Sequence, residues 1–132
     1  MSIDRFLSQF NLSPMMRVHF ENYIYPMADR MVEGYTGGTW GEVKLGNVWV
    51  LVIPSKDDRV TVNSEFNSAD MDKATAGAAF TFFLVSEFWN RFNDRMGGAA
   101  QEAFEATYFG IRDAAYTDGS GIDQKSFYKF TD

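Results

Sequence analysis

The chain contains no cysteine, which removes disulfides, thiolate nucleophiles and Cys-ligated metal sites together. That absence fits a reducing cytosol. Histidine is almost as scarce. His19 stands alone, and no HxxxH, HExxH or HxH spacing occurs that would place two ligands on one metal. No GxSxG elbow is present to give it a nucleophile, so His19 reads as an ordinary surface or core residue. No apolar run approaches the roughly 20 residues that span a bilayer; the longest, Ala74 to Val85, is interrupted by Thr75, Gly77 and Thr81. The start, Met1-Ser2-Ile3-Asp4-Arg5-Phe6, lacks a basic stretch leading into an apolar one, so we expect no signal peptide. Positive charge is also in short supply. Twelve Lys and Arg against eighteen Asp and Glu give a net charge of −6. An acidic chain is a poor general ligand for nucleic acid or anionic membrane, since phosphate binding depends on clustered cations. We therefore expect a soluble cytoplasmic protein with no membrane partner and no direct DNA binding.

What is present is apolar bulk. Hydrophobic residues make up 45% of the 132 positions and aromatic residues 17%. This is ample to fill the core of one domain, 1–132, of ordinary size. Helical spacing opens the chain. Phe6, Leu7 and Phe10 are followed by Ser13-Pro14, an N-cap and a first-turn proline. Val18, Phe20, Tyr23, Ile24, Met27 and Met31 then recur at near-helical intervals, with a break or kink expected near Tyr25 because of Pro26, and an end at Gly34. The middle reads as strands. Thr39 to Leu45 and Val48 to Ile53 flank the two-residue turn Gly46-Asn47, which sets Leu45 opposite Val48, Val43 opposite Val50 and Gly41 opposite Val52. Arg59 to Asn63 is a third strand and Phe66 to Ala69 a short fourth. Two long helices follow. The first is capped by Asp72, with Asp70 as rival, and is apolar nearly all round at its middle; the second spans Ala99 to Thr117, has Ala100, Ala103, Phe104, Thr107, Ile111, Ala114 and Ala115 as its inner face, and ends at Asp118-Gly119. Phe127, Tyr128 and Phe130 should dock the tail. The expected fold is α+β: a three- or four-stranded antiparallel β-meander packed with N-terminal helices, which close its second face, and two long C-terminal helices.

Few groups offer chemistry. Gly34 to Gly41 is glycine-rich, but it runs from helix to strand and no GK[ST] follows, whereas a phosphate loop runs from strand to helix. It reads as a turn needing positive φ at Gly37 or Gly38. Asp57-Asp58 and Asp70 with Asp72 lack the alternating spacing of a calcium loop, so we expect no metal and no cofactor. Met15, Met16, Met27 and Met31 serve either as core filler or as an adaptable surface, the former being the commoner use. Trp40, Trp49, Leu51 and Ile53 share one face of the hairpin. If a helix covers that face it is core; if none does, Trp40, Trp49 and Leu51 form a docking patch. An acidic patch could be built from Asp57, Asp58, Asp113 and Asp118. Mimicry of duplex DNA is a poor fit, because −6 matches only about 10 Å of duplex and Arg59 and Arg112 interrupt the acids.

The segment Gly34-Tyr35-Thr36-Gly37-Gly38-Thr39-Trp40 resembles the Tyr-x-Gly-Gly-x-Trp signature of the ArdB/KlcA antirestriction family. Its surroundings are similar too. Met31-Val32 precedes it and Leu45-Gly46-Asn47 follows. A helix opening at Asp72 carries Ala76-Gly77. A last helix bears Tyr108-Phe109 and Ile111 to Ala115, before a tail ending Phe130-Thr131-Asp132. The likeness runs from about Arg17 to the end. It implies a non-enzymatic protein of mobile elements that relieves restriction of incoming DNA by acting on a type I restriction–modification enzyme or an associated host factor. Tyr35, Gly37, Gly38 and Trp40 match the signature as turn-forming residues; no catalytic residue is implied.

Overall fold

A computed structural model describes residues 2–131. Met1, at the head of the N-terminal segment, and Asp132, the last residue of the family-like tail, lie outside the described residues. The fold is α+β. In chain order it comprises α1 (Asp4–Ser8), α2 (Pro14–Met31), β1 (Gly41–Leu45), β2 (Val48–Val52), β3 (Arg59–Asn63), β4 (Ser68–Asp72), α3 (Lys73–Phe92), a single 3-10 turn Asn93–Arg95, α4 (Gly98–Ala115) and α5 (Gln124–Thr131).

The strands do not form a meander. They pair as two separate antiparallel hairpins, β1 with β2 and β3 with β4. The first has the expected register, Leu45 opposite Val48, Val43 opposite Val50 and Gly41 opposite Val52. Its turn is set by Gly46 at φ 60°. A third strand is absent because the outer edge of β2 is already occupied. Trp49 exchanges two hydrogen bonds with the side-chain amide of Gln9, and the Leu51 N–H donates to Thr81 Oγ1 at 3.0 Å. Helix α3 lies so close to this edge that a methyl at Gly77 would sit 2.5 Å from the Leu51 carbonyl oxygen. The fourth strand begins at Ser68 rather than Phe66 and runs directly into the N-cap of α3.

Two helix termini follow their local chemistry. Ser13 caps α2 by accepting from the Met16 N–H, with Pro14 in the first turn. Asp72 caps α3 by accepting from the Thr75 N–H, and the Thr75 hydroxyl bonds Asp72 and accepts from the Asp123 N–H, tying α5 to the start of α3. For α1 the cap comes from afar: Glu42 Oε1 on β1 accepts from the N–H groups of Arg5 and Phe6. Two expectations fail here. Helix α2 passes through Pro26 without a break and ends at Met31, three residues before Gly34. Pro26 and Asn22, whose carbonyl it leaves without its helical donor, are both exposed, so water can satisfy the vacancy while Ile24, Met27, Ala28 and Met31 stay buried.

Helix α3 is the centre of the molecule. It packs on both hairpins and on α2, α4 and α5, and every residue from Thr75 to Phe82 is buried. One continuous core joins Phe6, Phe10, Phe20, Phe88 and Phe104 with Leu51, Ile53, Val62 and Met71. The tail contributes Phe127 and Phe130 to it, whereas Tyr128, expected to dock with them, is exposed. Met27 and Met31 are core; Met15 is exposed.

Candidate functional site

After α2 the chain makes one antiparallel bridge to β3, Val32 opposite Val62, and the Glu33 N–H donates to Thr61 O at 3.0 Å. It then turns through Gly34, Gly37 and Gly38, at φ 76°, 93° and 117°. Positive φ was expected at Gly37 or Gly38, and both have it. Gly38 is further constrained, because a methyl there would approach Pro54 Cβ to 2.8 Å. The two aromatic residues of the signature close the turn. Trp40 Nε1–H donates to Tyr35 Oη at 3.0 Å with the rings 5.8 Å apart, and Trp40 packs on Phe80 of α3 at 5.4 Å. Tyr35, Gly37, Gly38 and Trp40 therefore form one unit that links α2, β1 and α3.

This turn walls a cleft of about 940 Å³ lying between the two hairpins. Gly41, Val52 and Ile53 line it from the first hairpin and Arg59, Val60 and Thr61 from the second. Its charged groups are mixed: Lys56, Arg59 and Lys73 with Glu33 and Asp57. Two of the cations are already engaged. Lys73 Nζ donates to Ser55 O at 2.9 Å, and Arg59 bonds Asp70 O at 2.9 Å and pairs with its carboxylate at 3.5 Å. Sequence reading missed Arg59 and Lys73 here, since only the tertiary placement of the second hairpin brings them beside the signature.

The face expected to dock a partner if uncovered is instead covered. Trp40 is 5% exposed and Leu51 and Ile53 are buried. Helix α3 contributes to that cover, with Phe80 packed on Trp40, alongside α1. Trp49 is half-buried, with Gln9 at its backbone and the Arg5 guanidinium 5.1 Å from its ring centre. The opposite face is less complete: Leu45, Val48 and Val50 are buried, but Val43 is half exposed. The four acids of the expected patch are all exposed. Asp57 and Asp58 follow β2, whereas Asp113 adjoins Ala114, which packs against the Gly46 turn at the other end of that strand.

His19 is exposed, its ring set edge-on to Phe92 at 4.6 Å and near Phe88 at 5.6 Å. Among the described residues no group of three or more His, Asp or Glu side chains is placed to hold a metal ion. Nor does any buried side-chain nitrogen or oxygen among them lack a hydrogen-bond partner. Perturbed acids are few. Burial and a hydrogen bond to Glu87 push the Tyr23 hydroxyl above its usual range, and burial with nearby Glu21 does the same to Tyr25. Hydrogen bonds from Ser126 hold exposed Asp123 below the usual carboxylate value. None of the three lines the cleft beside the signature turn. No helix of the described residues is long and apolar enough to cross a membrane. Compared with known proteins, the sequence matches no family model and no curated relative.

Proposed function

We propose that this chain relieves restriction of incoming DNA by type I restriction–modification systems, by binding protein and without catalysis, as the ArdB/KlcA resemblance implies. The observation that supports the reading is the cooperation of the signature residues. The Tyr35 oxygen receives the Trp40 indole N–H, and Gly37 and Gly38 supply the two positive φ values between them. The partner in this reading is the restriction enzyme or an associated host factor, met in the cytoplasm, and the net charge of −6 favours protein over DNA as the surface contacted.

Unmodified phage plated on restricting cells, with and without the protein, tests the reading. Expression should raise plating efficiency while leaving growth on non-restricting cells unchanged. An unchanged efficiency with folded protein present would sink it. The alternative is a generic interaction module of a mobile element with a small acidic or aromatic docking patch; of its aromatic face Trp40 and Leu51 are buried and Trp49 is half-buried.

A further inference from the structure

A trough runs along α3 from the tip of the β3–β4 hairpin. Its first part, about 550 Å³, is lined by Met31, Asn63, Phe66, Phe83 and Glu87. It continues past Phe83 and Glu87 to Ser86, Asn90 and Arg91. Glu87 is committed to α2, accepting from Tyr23 Oη at 3.0 Å and pairing with Arg30 at 3.0 Å. Arg91 is not so committed. Its guanidinium lies 6.0 Å from the Tyr23 ring centre, and among the described residues no carboxylate lies within ion-pair distance of it.

At the mouth of the trough Phe66 is 87% exposed. It sits on a well-made turn: the Ser64 N–H donates to Asn67 O at 2.7 Å, and the Asn67 N–H to Ser64 Oγ at 3.1 Å. The turn thus fixes a large apolar ring in water. Next to it, exposed Glu65 has no cation within ion-pair distance among the described residues. The tip therefore presents an acid and an aromatic ring side by side, and the trough presents an apolar wall and a spare guanidinium.

We propose that a second copy of this chain covers this face, with Phe66 of each protomer entering the trough of the other along Phe83 and Glu65 pairing with the partner's Arg91. A two-fold contact must be self-complementary, and here the ring and the trough are neighbours on one face, so a single rotation satisfies both contacts twice. The charge pattern selects this occupant, because the one unpaired cation of the trough matches the unpaired acid of the tip. Repulsion between two chains of −6 opposes the contact, but the Debye length is only about 8 Å at physiological salt, so the local pair outweighs distant charges. The proposal is independent of the antirestriction reading.

Sedimentation of the full chain at physiological salt, from micromolar to millimolar concentration, tests it. The wild-type mass should rise from one chain to two. Phe66→Asp, at an exposed position that leaves the core intact, should weaken the dimer at least about tenfold, since a central aromatic anchor is lost twice. Glu65→Arg and Arg91→Glu should each weaken it, and the double exchange Glu65→Arg/Arg91→Glu should recover most of the loss. Circular dichroism of each variant separates lost association from lost fold. A wild type monomeric throughout overturns the proposal. So does a dimer indifferent to Phe66→Asp, or a double exchange no better than its parents.

Discussion

The side-chain amide of Gln9 bonds both backbone groups of Trp49, its Nε2–H donating to the carbonyl at 2.8 Å and its Oε1 accepting the N–H at 2.9 Å. A third strand would use those same two groups. Gln9 and Thr81, both on that outer edge, therefore end the sheet at β2 and protect an edge that is otherwise open to pairing. Gln9→Ala should cost about 1–3 kcal/mol, the usual penalty for leaving partly buried peptide groups unpaired. Gln9→Glu should be at least as damaging, because a carboxylate cannot donate to the Trp49 carbonyl. Urea unfolding of the three proteins checks this; an unchanged midpoint for Gln9→Ala would refute the edge-capping role.

Gly77 and Gly98 are both helical glycines, and the same substitution should act on them with opposite sign. Helix propensity favours Ala over Gly by about 1 kcal/mol. At Gly98 a methyl meets nothing within 4 Å, so Gly98→Ala should be neutral or stabilise by up to about 1 kcal/mol. At Gly77 it would lie 2.5 Å from the Leu51 carbonyl oxygen, a backbone atom held in place by the hairpin. Relieving that contact means moving α3 off the edge of β2, and overpacking of this kind costs about 1–3 kcal/mol. Gly77→Ala should therefore lower the melting temperature and Gly98→Ala should not; equal effects at the two sites would contradict the close approach.

How much of this was legible in the sequence depends on distance along the chain. Most signals a few residues long were reliable: Ser13-Pro14 and Asp72 start their helices, Gly46-Asn47 sets the hairpin register, and the inner face of α4 is buried at Ala100, Phe104, Thr107, Ile111 and Ala115 and half-buried at Ala103 and Ala114, although Gly34 does not end α2. Distant partners were not readable. The sheet ends at β2 because residues 40 and 30 positions away supply its edge bonds, and no pattern within the strand announces that. The same holds for Glu42, a strand residue that caps α1 from 37 positions away. Pro26 misled because the proline rule is local, whereas the burial that carries α2 past it is tertiary. Of the candidate site, the turn and its positive φ were visible in the glycines. The cleft beside it was not, because it exists only where two hairpins fail to join.

The Tyr35 to Trp40 hydrogen bond separates a structural signature from a contact surface. Tyr35→Phe removes only the oxygen that accepts the Trp40 N–H, leaving a nearly buried indole donor without its partner. The expected cost is about 1–2 kcal/mol. If the signature acts by shaping the turn, antirestriction activity per folded molecule should match wild type, and only the amount of folded protein should fall. Quantified phage plating alongside soluble-protein levels reads both. Full stability with lost activity would instead place the Tyr35 hydroxyl in contact with the partner.

Tyr23 gives α2 and α3 an alkaline weakness. Its hydroxyl donates to Glu87, and burial together with that carboxylate raises its pKa above the ordinary value of 10.0. A group whose pKa is raised on folding contributes its stabilisation in full below the unfolded value and loses it as pH climbs through the folded one. In linkage terms, above pH 10.0 the unfolded chain has released the proton that the native chain still holds, so stability must fall with rising pH. Tyr25, also raised, acts with the same sign and is left intact as an internal control. Melting temperatures measured from neutral pH to above the folded tyrosine range should show wild type losing more stability than Tyr23→Phe. At neutral pH the variant should already be less stable by about 1 kcal/mol, since the hydrogen bond to Glu87 is gone. Parallel alkaline profiles for the two proteins would show that Tyr23 does not couple the helices through its proton.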